Sequence, residues 1–306
     1  MKILTNHVMR LAICACLLLC QVAAWAQSSA DETPIITFKT SIYETYGETN
    51  AFHFVIGAKQ DTYIDVDCGY GTMEYEVSQA VFNSETGAID GTPISCKVSP
   101  EGVVKIYGDA SLIDYFDAEG CYIRNLDINA LTELEILSLN HNELEALNLD
   151  NNNKLQALML NDNPFNVTPL KVGKNKPDLT IIDLNLIGNI DPSFNISDYP
   201  ELITFQAWNT MSLKWIDPTG CPELVRLSID ATSVASLDVS KNPKLRILNI
   251  SDTRIPSVDL SSNPVLTEFY CTHQSGSLNT DIKLTSLDLT NNPELYYLAC
   301  SGNLLK

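Results

Sequence analysis

Histidines, clustered acids and cysteines are the side chains of this 306-residue chain best suited to chemistry. After residue 26 the histidines are His53, His141 and His273. None belongs to an HExxH arrangement and no cysteines show paired metal-ligand spacing, so zinc chemistry has no motif to rest on. There is no GxSxG elbow, no P-loop and no GxGxxG before a helix, and Gly69-Tyr70-Gly71 is too short to cradle a phosphate. Asp61, Asp65 and Asp67 invite a calcium reading, because hard cations take clustered carboxylates. Asp65 and Asp67, however, share one face of a strand, and a solvated face accounts for them. The residues point to no catalytic group, no metal site and no cofactor.

Residues 1–26 read as a secretory signal. Lys2 and Arg10 supply positive charge, Leu11 to Cys20 are apolar, and Ala24-Trp25-Ala26 is an A-x-A cleavage site, so the mature chain begins at Gln27. Leu11 to Trp25 is shorter than the roughly 20 residues a membrane-spanning helix needs, and Leu19 before Cys20 argues against lipid attachment. No other stretch is long and apolar enough to span a bilayer after cleavage. The expected location is secreted, periplasmic or cell-surface. Cleavage removes two bases and no acid, moving the net charge from −19 to −21. That charge repels nucleic acid and anionic lipid. Six cysteines remain, thinly spread, so buried free thiols are the default, with Cys68 and Cys96 the one pairing to check.

The elements that position these residues repeat. Leu134 to Asn142 has the form LxxLxLxxN, which returns at Leu155 to Asn163 and, as LxxLxCxxN, at Leu295 to Asn303. Weaker copies begin at Ile113, Leu179, Leu202, Leu224, Leu245 and Leu266, giving nine anchors at 21- to 29-residue spacing. A second apolar pair follows most anchors, as at Leu147/Leu149 and Leu237/Val239. Asn242-Pro243, Asn263-Pro264 and Asn292-Pro293 then turn the chain back. One such coil cannot bury its leucines alone; stacked coils bury a continuous column. The asparagine closing each strand can satisfy turn backbone groups. Residues 164–223 depart furthest from the pattern.

Residues 113–306 resemble the leucine-rich repeats of secreted bacterial surface proteins, with the LxxLxCSxNxLxxLDLSxNP form best seen at Leu284 to Leu305. The resemblance implies a β-rich solenoid of about nine short coils and a binding role, without specifying a ligand.

Four segments follow: a signal (1–26), a flexible N-terminus (27–33), a β-sandwich-like domain (34–109) and the repeat domain (110–306). Strands are expected at 35–43, 51–56, 62–67, 73–77 and 103–107. Cys68-Gly-Tyr-Gly-Thr72 is similar to the WGDGT strand-turn signature of polycystic-kidney-disease-type β-sandwich modules. Cys68 replaces its Trp and Tyr70 its Asp, so only a tight hairpin turn carries over. The β-domain is expected to cap the first coil. The last coil has no such cover: it is paired with another chain, frayed, or followed in nature by a further domain. Homo-oligomerisation through that edge is the reading carried forward.

If the leucines point inward, the alternating positions face outward on a concave sheet. The candidate ligand-binding residues are Tyr115, Glu135, Trp208, Arg226, Arg246, Glu268, Tyr270, Tyr296 and Tyr297. An extracellular protein and a glycan are the two candidate partners. Coplanar rings along a groove would indicate sugar, and aromatics mixed with rim charges would indicate protein. A structural scaffold assembling through the C-terminal edge is the third alternative.

Overall fold

The computed structural model describes residues 33–47, 51–82, 89–273 and 283–306. The signal segment 1–26 and residues 27–32 lie outside these. The N-terminal elements are β1 (Ile36–Thr40), a one-turn helix α1 (Ile42–Tyr46), β2 (Ala51–Ala58), β3 (Thr62–Asp67), β4 (Thr72–Val77), β5 (Val81–Phe82), β6 (Ile89–Asp90), β7 (Thr92–Lys97) and β8 (Val103–Gly108). The first coil supplies β9 (Ile113–Asp117) and β10 (Ile123–Asp127). One short strand per coil follows: β11 (Ile136–Ser138), β12 (Ala157–Met159), β13 (Ile181–Asp183), β14 (Thr204–Gln206), β15 (Arg226–Ser228), β16 (Ile247–Asn249), β17 (Glu268–Tyr270) and β18 (Tyr297–Ala299).

Among the described residues, β9 and β11 to β18 form nine consecutive parallel strands. The nine anchors lie two or three residues before the middle of these strands or at a strand's start, and the anchors from Ile113 to Leu266 are fully buried. The central residue of each strand up to β17, such as Leu137, Phe205 and Phe269, is buried with them. Each contributes about 1.5–3 kcal/mol relative to exposure, and only because the neighbouring coil covers it. Among the described residues the chain is β-rich, with almost no helix.

The N-terminal strands continue this solenoid on both sides. β2 pairs antiparallel with β9, placing Ile56 opposite Phe116, and β7 pairs beyond β2. β10, in the return segment of the first coil, pairs antiparallel with β1, and β8, β3 and β4 extend that second sheet. Phe38, Phe54 and Phe116 pack between the sheets with ring centroids 5.8–6.4 Å apart, so the first coil shares one hydrophobic core with the N-terminal strands. β7, which contains Pro93, has no counterpart among the expected strands. It lies at the sheet edge, where a missing N–H is tolerated.

Cys68-Gly-Tyr-Gly71 is a hairpin turn between β3 and β4, with Asp67 opposite Thr72. Gly69 takes φ +91°, and a Cβ there would strike the Ser99 hydroxyl. Cys68 is bonded to Cys96 of β7, which ties the two sheets together. The default of free thiols thus fails for this pair, because the hairpin turn and β7 bring the two Cα atoms to 6.3 Å. Cys121, Cys221, Cys271 and Cys300 are free.

Candidate binding face

Side chains alternate along a strand, so the residues flanking each buried central position form two columns on the open face of the ladder. The end of each coil is held by an asparagine or a substitute. Asn142 Oδ1 accepts from Ile123 N at 2.9 Å while its Nδ2 donates to Ala118 O and Leu139 O, and Asn163 and Asn303 repeat the arrangement. The residue before this position is left-handed in successive coils: His141, Asp162, Leu186, Asn209, Ala231 and Asp252 all have φ between 52° and 57°. One further position back, Asn140, Asn161 and Asn185 each accept from the backbone N–H of the next coil. These ladders hold the face in register. The fold is a β-rich solenoid of the leucine-rich repeat kind.

No protein-family model matches the sequence, and no curated protein matches it. Solved structures similar in part include the functional domain of InlJ from Listeria monocytogenes, 21% identical, covering 63% of this chain and 53% of that one with a TM-score of 0.33. A leucine-rich repeat protein of Leptospira interrogans is 18% identical over 58% of this chain and 51% of its own, with a TM-score of 0.43. Internalin C2 of Listeria monocytogenes is 16% identical over 62% and 72%, with a TM-score of 0.37. The chain thus spans about half the length of the first two.

Four of the nine candidate residues meet at the C-terminal end of the face. Glu268 accepts from the hydroxyls of Tyr270 at 2.7 Å and Tyr296 at 2.6 Å, and the rings of Tyr270 and Tyr297 lie 5.0 Å apart at 37°. The two hydroxyls, aided by the nearby Arg226, hold the Glu268 carboxyl below the usual carboxylate range. The same bond pushes the Tyr270 hydroxyl up to about 12. Arg226 lies on β15 in the same column as Glu268, and Arg246 lies 3.9 Å from Glu294. Tyr296 and Tyr297 are 74% and 46% exposed.

The other three are apart from this group. Trp208, 45% exposed, stands beyond the end of β14, where its backbone N–H donates to Asn185 Oδ1 at 2.7 Å. Glu135 accepts from Gln156 on the next coil. Tyr115 is 5% exposed, seven strand steps from Tyr270, or about 34 Å at 4.8 Å per step. Its ring lies against Gly91, just before β7, where an added Cβ would come within 3.2 Å, and its hydroxyl donates to Asp117 at 3.2 Å. Burial and the neighbouring Asp117 raise the Tyr115 pKa. This end of the face is acidic, and burial raises the carboxyls of Asp114 and, further along, Asp183.

Among the described residues no three His, Cys, Asp or Glu side chains gather as a metal-ligand set. Burial pushes the thiols of Cys121, Cys221 and Cys271 up to about 12, which leaves them protonated and weakly nucleophilic near neutral pH.

Two features have no counterpart in the sequence reading. Asn152, Asn242, Asn263 and Asn292 form a second buried ladder on the return side, each Nδ2 donating to two carbonyls of the preceding coil. The Asn-Pro pairs signalled a turn, and the buried amide was the hidden part of that signal. Trp215, 44% exposed on the return side, lies in an irregular coil where the repeat template assigns no role.

Proposed function

We propose that this is a non-enzymatic extracellular or cell-surface protein that recognises a protein partner through the open face of its solenoid. The cluster of Glu268, Tyr270, Tyr296 and Tyr297 carries the reading. Three tyrosines bring large, rigid contact area at low entropic cost, and two are fixed by their bonds to Glu268. Arg226 and Arg246 beside them supply the charged surround of a protein-binding patch. The 37° tilt between Tyr270 and Tyr297 favours a protein over a sugar stacked along coplanar rings. The secretory segment at 1–26 supports an extracellular place of action, and no helix among the described residues is long and apolar enough to cross a membrane.

The test is a binding screen of residues 27–306 against purified extracellular-matrix proteins and receptor ectodomains by biolayer interferometry. A hit should weaken at least about 30-fold in the Tyr270→Ala/Tyr297→Ala double variant, since a central aromatic anchor is worth about 2 kcal/mol or more. Binding that is unchanged in that variant, with its thermal unfolding intact, rejects the assigned surface.

A further inference from the structure

We propose that the return side of the coils carries a second binding site, a cleft beside Trp215 that takes one pyranose ring of a glycan. The cleft has a volume of about 230 Å³ and is lined chiefly by Asn189, Ile190, Asp191, Phe194, Leu213 and Trp215. That is below the roughly 300–1,000 Å³ of a site for a drug-sized ligand, which suits a single ring.

The apolar wall is held rigidly. Trp215 Nε1 donates to Pro192 O at 3.1 Å, which commits its polar edge and leaves its ring faces as the available surface. Phe194 stacks on Phe205 at 5.9 Å and 28° and also packs against Tyr199, whose hydroxyl donates to Gly173 O. Ser212 Oγ accepts from Ile190 N, joining the two return segments that form the cleft. Asp191 Oδ1 accepts from the backbone and hydroxyl of Ser193, at 2.8 and 2.5 Å, and its Oδ2 faces Lys171 Nζ at 3.6 Å, which leaves Oδ2 the atom open to a ligand hydroxyl.

The ligand class follows from the mixture. An indole face carries negative potential and attracts weakly positive C–H groups, such as those on the apolar face of a pyranose. The hydroxyls around such a ring are both donors and acceptors, and they match the Asp191 carboxylate, the Asn189 amide and the exposed Lys214 ammonium in the lining. A proline ring could stack on the same indole but would leave those polar groups unmatched. The site is separate from the tyrosine cluster, being built from return segments rather than strands.

The test uses the mature chain with cellohexaose, maltohexaose, mannohexaose, chitohexaose and an octaproline peptide, each at millimolar concentration. Binding is read by tryptophan fluorescence and saturation-transfer NMR. At least one oligosaccharide should shift the emission and show saturation of its ring protons. Trp215→Ala should weaken that binding at least tenfold while keeping the wild-type melting curve, with Trp215→Phe retaining part of it. Trp208→Ala and Tyr270→Ala should leave it unchanged. Binding by none of the four sugars, binding by octaproline alone, or sugar binding that survives Trp215→Ala overturns the proposal.

Discussion

Asn163→Ala measures how far the strand-end ladder, rather than the leucines alone, holds the coils. Asn163 is fully buried. Its Oδ1 accepts from Leu144 N at 3.1 Å, and its Nδ2 donates to Leu139 O and Leu160 O at 2.9 Å each. Alanine leaves the Leu144 N–H without this acceptor, and a buried unsatisfied donor costs about 1–3 kcal/mol. The Leu160 carbonyl loses its bond as well, while Leu139 O keeps the Nδ2 of Asn142 at 3.0 Å. At about 1 kcal/mol for the lost carbonyl bond the total comes to about 2–4 kcal/mol. Asn163→Thr should cost roughly half of this, because Thr210 at the equivalent position both donates to Leu184 O and accepts from Ile187 N. Urea unfolding gives the free energies, and amide hydrogen exchange at Leu144 reports the local opening. An alanine variant within about 1 kcal/mol of wild type, or a Leu144 amide that keeps its protection, refutes the ladder as a principal restraint.

The return-side ladder makes a pH-dependent prediction. Lys176 occupies the position of the laddered asparagines, 1% exposed, with Nζ donating to Leu149 O at 2.9 Å. Burial lowers its pKa, with Asp150 offsetting part of the effect. The unfolded chain therefore binds more protons than the folded one between the lowered value and the ordinary lysine value near 10.4, and this residue's contribution to stability rises with pH through that window. Urea midpoints at several pH values up to 10 should show wild type gaining on Lys176→Met, and parallel profiles would remove the effect. For the Cys68–Cys96 bond, with 28 residues of sequence separation, loop-closure entropy puts the Cys68→Ala/Cys96→Ala cost at about 3–4 kcal/mol. Chemical denaturation measures it, and a loss below about 1 kcal/mol would show that the shared phenylalanine core suffices to hold the sheets.

The nine anchors in the sequence correspond to nine parallel strands, and the asparagines closing the clearest repeats do satisfy backbone groups across coils. These features are legible because each arises within one coil: alternation along a short strand sets which side chains turn inward, and a period near 22 residues returns the same set to the same place. The candidate face was legible only as a column of outward positions. That four of its members would meet around Glu268 depends on two coils separated by the longest spacing in the repeat, and that Tyr115 would be enclosed depends on β2, some sixty residues earlier in sequence, pairing with β9. The Cys68–Cys96 bond and the Trp215 cleft likewise depend on segments brought together from different elements. The repeat and the inward or outward sense of its side chains can be read from the residues alone, because these are local. Which outward positions stay open and which join into a site is settled by the packed fold, because accessibility is set by neighbours whose pairing no local pattern encodes.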